Sequence, residues 1–109
     1  MSEISVVMIT AGNAEEAAKI GRTLVEERLA ACANIVPGVR SIYRWKGQIC
    51  DEQELLIIAK TRTSLFPALE KRVKELHSYE VPEIISFPVA GGLAQYLEWV
   101  HTETAAGSD

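Results

Sequence analysis

The side chains with the most chemistry to offer are few and scattered: Cys32, Cys50, His77, His101, and the pair Lys60 and Glu83. A cysteine thiolate is a soft donor suited to copper(I). A free cysteine is also a small, commonly buried hydrophobe, and composition alone favours that reading for Cys32. His77 falls at the end of a helical stripe. A histidine there either ligates a metal or caps the last carbonyls of its own helix, and capping is the commoner role. His101 lies near the C-terminus and is expected in solvent. Two distant histidines are a weak metal signal, and the two cysteines have no CxxC spacing that would mark a zinc knuckle or a redox pair. Lys60 ends an apolar run and Glu83 opens the next strand. A lysine in that place needs company, because burying it unpaired is costly. Lys60 with Glu83 reads either as a buried ion pair or as an anion site.

Enzyme signatures are absent from the pattern: no GxSxG, no P-loop, no Rossmann glycine run. The chain of 109 residues carries a net charge of −4 with 48% hydrophobic residues. That is one domain with a modest core. The acidic balance argues against a general nucleic-acid or anionic-membrane surface. The N-terminal MSEISVVMIT lacks the basic start and long apolar run of a secretory signal. No stretch approaches the roughly 20 apolar residues of a membrane span. A cytoplasmic protein with reduced thiols is the expectation.

The elements that must position these residues follow from periodicity. Residues 4–10 are a continuous apolar run, a buried strand. Asn13 with Glu16 resembles a capping box, and Ala17, Ile20, Gly21, Leu24 and Val25 give the helical stripe behind it. Cys32–Trp45 reads as a strand interrupted by Pro37-Gly38, a bulge or kink. Gln48–Arg62 returns from a turn at Lys46-Gly47. Ser64 caps a second helix with Pro67 in its first turn. A short strand at 84–89 and a short helix from Leu93 to Val100 follow. Residues 1–104 form the single domain, and the tail 105–109 is expected to be mobile. The order βαββαβ plus a helix, with right-handed crossovers, gives an α+β ferredoxin-like sandwich whose antiparallel sheet runs 4-1-3-2. Pro37 and Pro88 agree, since both fall on the edge strands that can spare an N–H.

The hairpin of strands 2 and 3 is too long for this layer. Residues 49–62 span roughly 46 Å at about 3.3 Å per residue. The helix at 64–77 covers about 21 Å. With Lys46-Gly47 as a two-residue turn, Trp45 opposes Gln48 and Tyr43 opposes Cys50. Val39, Ser41, Tyr43 and Trp45 then share one face beyond the helices. Two readings stand: a subunit interface, which is favoured, or packing on the C-terminal helix of the same chain.

ERLAACANIVPGVRSIYRWKGQI (27–49), LLIIAKTR (55–62), ELHSYEVPEII (75–85) and YLEW (96–99) resemble the CutA family of divalent-cation tolerance proteins. The resemblance covers nearly the whole chain in order. It implies a tight homotrimer, PII-like in architecture, whose long strands pair across subunits. It also implies binding of copper or another divalent cation, with no cofactor required and no enzymatic activity. The family's metal-binding members join a Cys near the end of strand 1 to two adjacent His after helix 2. Here those positions read Ile9 and Leu76-His77, so His77 alone remains as a metal ligand. The resemblance further places Cys32, Tyr43, Trp45, Lys60, Tyr79 and Glu83 around a cleft between subunits, as a site for a small ligand or ion. The alternatives are a regulatory trimer that binds a small anionic metabolite with Lys60 as counter-charge, and a scaffold for a protein partner. RNA-recognition modules are set aside because strand 3 is aliphatic where stacking rings would be. Metal-transfer and acylphosphatase-like domains are set aside because the loop after strand 1, Thr10-Ala11-Gly12-Asn13, carries neither CxxC nor Arg.

Overall fold

The computed structural model describes residues 3–104, so the expectation for the tail 105–109 lies outside the described residues. Four strands and three α-helices follow in the order β1 (Ile4–Ala11), α1 (Ala14–Glu26), β2 (Cys32–Trp45), β3 (Gln48–Arg62), α2 (Phe66–Leu76), β4 (Ile84–Pro88) and α3 (Ala94–Glu103). The sheet order is β2-β3-β1-β4, and every neighbouring pair is antiparallel. This is the expected 4-1-3-2 order, with the prolines of β2 and β4 on the two edges.

Asn13 caps α1 by accepting the Glu16 N–H at 2.8 Å on Oδ1. The reciprocal half of the expected capping box does not form. Glu16 instead turns its carboxylate to Ser78, accepting the backbone N–H at 2.6 Å and the hydroxyl at 2.9 Å. The helix buries Ala17, Ile20, Gly21 and Leu24 against the sheet. A Cβ at Gly21 would stand 3.3 Å from the Ala33 methyl, which shows how closely α1 approaches β2. The start of α2 also departs from expectation. Ser64 lies inside a 3₁₀ turn, Thr63–Leu65, and caps nothing. The chain is still paired to β1 there, with Thr63 N–H on Glu3 O at 2.7 Å, so it tightens before it can open into a helix.

Alternation divides the sheet residues between two faces. Val7, Ile9 and Ala11 of β1 with Ile57 and Ala59 of β3 pack under α1 and α2, and all are fully buried. The opposite face carries Met8, Leu56, Ile58, Val36, Ile85 and Phe87. There α3 covers only one end, where Val100 and Leu97 pack with Ile4, Ala31 and Val89. Phe87 is left 45% exposed and Val36 40% exposed.

The hairpin sets the shape. The described molecule measures 44 × 25 × 21 Å, while the 11 residues of α2 cover only about 17 Å of that length. The turn has Lys46 at φ 52° and Gly47 at φ 79°, both in the left-handed region that a type I′ turn requires. Tyr43 therefore faces Cys50 and Trp45 faces Gln48, as expected. The register slips between Val36 and Val39, so Pro37-Gly38 is the bulge, with Gly38 at φ 76°.

Candidate functional site

A cavity of about 660 Å³ opens between the turn-side half of the long hairpin and the loop that joins α2 to β4. Tyr43, Trp45, Tyr79 and Glu83 line it, which brings together four of the residues singled out in the sequence. Sequence reasoning missed Glu54, Glu80 and Arg40, which line it as well. Glu54 carried a signal: it opens the apolar run of β3 on the face opposite the main core, where a charged residue is out of keeping.

Two tyrosine–carboxylate contacts organise the cavity. Tyr43 donates its hydroxyl to Glu52 Oε1 at 2.7 Å, and Tyr79 donates to Glu54 Oε2 at 2.6 Å. The Glu52 bond, with a smaller effect of burial, pushes the Tyr43 phenol well above the ordinary tyrosine range. For Tyr79 burial is the larger cause and the Glu54 bond the second, in the same direction. Arg40 is held by both oxygens of Asp51, at 2.9 and 2.7 Å. At the rim, Lys46 Nζ stands 3.6 Å from Glu80 Oε1 and 5.6 Å from the centre of the Trp45 ring.

The loop beneath is fixed by His77. The helix-capping role expected for its ring does not form. Only its backbone N–H bonds back to α2, on Val73 O at 2.9 Å. The ring crosses to β1, where Nε2 meets Thr10 O at 2.6 Å, and Nδ1 accepts the Tyr79 N–H at 3.2 Å. A carbonyl accepts only, so Nε2 carries the proton and Nδ1 the lone pair. Both nitrogens are engaged and the side chain is buried, which leaves no lone pair for a metal in this arrangement. Glu16 joins α1 to the same loop through its two hydrogen bonds from Ser78. Among the described residues, no group of three or more His, Cys, Asp or Glu side chains comes together to hold a metal ion. The described residues of one chain therefore do not fit a bound divalent cation.

Cys32 and Lys60 are not at this cavity. They pair with each other across β2 and β3, near α3, at the base of the hairpin. Cys32 Sγ is 3.6 Å from Tyr96 Oη. That contact, and then burial, pushes the Tyr96 phenol up to about 12. Cys50 is also a free thiol, opposite Tyr43 as expected. Lys60 Nζ bonds Asn34 Oδ1, and the expected pair with Glu83 does not form. The reason is register. Val6 aligns Lys60 with Phe87, near the end of β4, whereas Glu83 precedes its first residue. His101 is half-exposed on α3, as expected, 4.0 Å from Glu3 Oε1. The aromatic tip does not pack on α3 either: Tyr43 and Trp45 face the cavity and remain part-exposed.

Comparison with known proteins places these observations. The family model described as CutA1 divalent ion tolerance protein matches residues 5–103. The divalent-cation tolerance protein CutA of Thermus thermophilus is 54% identical over 99 residues, 91% of this chain and 96% of that protein. Human protein CutA is 45% identical over 106 residues, and the chain spans 59% of its length. Among solved structures, the Thermus thermophilus protein superposes with a TM-score of 0.91 at 53% identity, covering 94% of this chain and 99% of that one. CutA of Xylella fastidiosa gives 0.93 at 39% identity, covering 95% of this chain and 100% of that one. The chain belongs to the CutA1 divalent ion tolerance protein family.

Proposed function

We propose that this protein acts in divalent-cation tolerance as a homotrimer, binding copper or another divalent ion with groups drawn from more than one copy. The observation that carries the trimer is the half-covered sheet face. Met8, Leu56, Ile58, Val36, Ile85 and Phe87 form an apolar surface that α3 leaves open, next to the part-exposed rings of Tyr96 and Trp99. A surface of that kind calls for a protein partner. Association there also accounts for the split among the sequence-predicted residues. Tyr43, Trp45, Tyr79 and Glu83 lie at one end of the hairpin and Cys32 with Lys60 at the other. Only a second copy can bring the two groups to one cleft. The free thiols of Cys32 and Cys50 suit a reducing, cytoplasmic location.

The test is calorimetric titration of copper and zinc into the wild type, a Phe87→Asp variant and a His77→Gln variant. Binding by the wild type, lost when Phe87→Asp separates the copies and kept in His77→Gln, is the expected pattern. Equal affinity in the separated copies would place the ion within one chain and contradict the proposal.

A further inference from the structure

We infer that Gly12 is a positioning residue of the cleft: its missing side chain is the space through which the Tyr79 hydroxyl reaches Glu54. Gly12 follows the last residue of β1 and precedes Asn13, the cap of α1. A Cβ placed on it would stand 2.9 Å from Tyr79 Oη, but 3.5 and 3.6 Å from the nearest ring carbons. The first separation is too short for carbon against oxygen, and the other two are ordinary contacts. Among the described glycines, no other would crowd a residue that lines the cavity. Gly38 and Gly47 have a positive φ and Gly12 does not. Space, and not backbone freedom, is what position 12 requires.

The hydroxyl has little room to move aside. Tyr79 is held at both ends. Its N–H lies on His77 Nδ1 at 3.2 Å, its ring centre is 4.6 Å from that of His77, and its hydroxyl donates to Glu54 Oε2 at 2.6 Å. Among the described residues this hydroxyl is the one hydrogen-bond donor on Glu54, which is buried. A buried carboxylate that loses its donor carries an unmet desolvation cost and turns to find another. A methyl at position 12 therefore presses on the atom that orients Glu54, while the backbone between β1 and α1 stays unstrained. Glu54 lines the cavity, so its direction bears on ion binding in the cleft, and to that extent the inference rests on the proposed function. The contact itself lies within one chain and is the same whether or not a neighbouring copy reaches the cavity.

A double-mutant cycle of Gly12→Ala and Tyr79→Phe tests the inference, read at one protein concentration by urea unfolding and by calorimetric titration of copper. Gly12→Ala alone lowers the unfolding midpoint and weakens copper binding about fivefold. Tyr79→Phe removes the atom that the methyl would strike, so Gly12→Ala has no further effect in that background by either measurement. Burial and then the Glu54 bond hold the Tyr79 phenol above its ordinary range, and in Gly12→Ala its phenolate absorbance moves back toward that range. A Gly12→Ala variant that matches the wild type, or that loses as much in the Tyr79→Phe background as without it, overturns the inference. So does a native mass that drops in Gly12→Ala alone, since the glycine would then serve assembly. A wild type that binds no copper overturns the proposed function, and the urea cycle still decides whether Gly12 positions Tyr79.

Discussion

His77 holds the loop under the cavity through both ring nitrogens, so its substitution is a matter of stability before it is one of binding. His77→Ala leaves the Thr10 carbonyl and the Tyr79 N–H without their partner. The expected cost is about 2–4 kcal/mol, measured as a shift in the urea unfolding midpoint. A shift near zero would mean that the loop is anchored elsewhere. The phenols make a second residue-scale prediction. The chain has three tyrosines, and all three are raised above their ordinary range, Tyr96 to about 12. A phenol raised in the folded state stabilises the fold fully below its unfolded value, about 10. That contribution is lost as pH climbs through the folded value. Stability should therefore fall between about pH 10 and 12, and phenolate absorbance should lag behind that of free tyrosine until the chain unfolds. Absorbance that follows free tyrosine would contradict the Glu52, Glu54 and Cys32 contacts. At this scale the sequence was only partly legible. Tyr43, Trp45, Tyr79 and Glu83 meet at one cavity. The contacts Glu16 to Ser78 and Tyr79 to Glu54 link positions far apart in the chain, and no local pattern announces them.

At the scale of elements, local chemistry was the better guide. Pro37 and Pro88 marked the edge strands because a proline gives no ladder N–H, and Lys46-Gly47 set the hairpin register because a two-residue turn fixes it. Where the sequence misled, tertiary pairing overrode it: Thr63 stays bonded to Glu3 and denies Ser64 its cap. The expected Lys60–Glu83 pair failed for a similar reason, since it needed a register that only the folded sheet sets. Two substitutions test the hairpin. Gly38→Ala meets no atom within 4 Å yet keeps a φ of 76°, so its cost is conformational, about 1–2 kcal/mol. Lys46 adopts φ 52°, which asparagine tolerates better. Lys46→Asn should stabilise by up to about 1 kcal/mol, net of a small loss from the exposed Glu80 pair. Thermal unfolding of both variants checks the pair. A neutral Gly38→Ala would mean that the bulge relaxes without strain.

The whole molecule is an elongated sheet with one face under α1 and α2 and the other only half covered. A hairpin longer than its helix layer and an apolar face without a cover describe the same surplus of sheet. The assembly of copies proposed above would account for both. It also explains why the residues drawn from the sequence fall into two groups on one chain. Sedimentation equilibrium at micromolar concentration tests this most directly. The expected mass is three times that of the 12.0 kDa chain, falling toward a single chain in Phe87→Asp. A wild-type protein that sediments as one chain would contradict it.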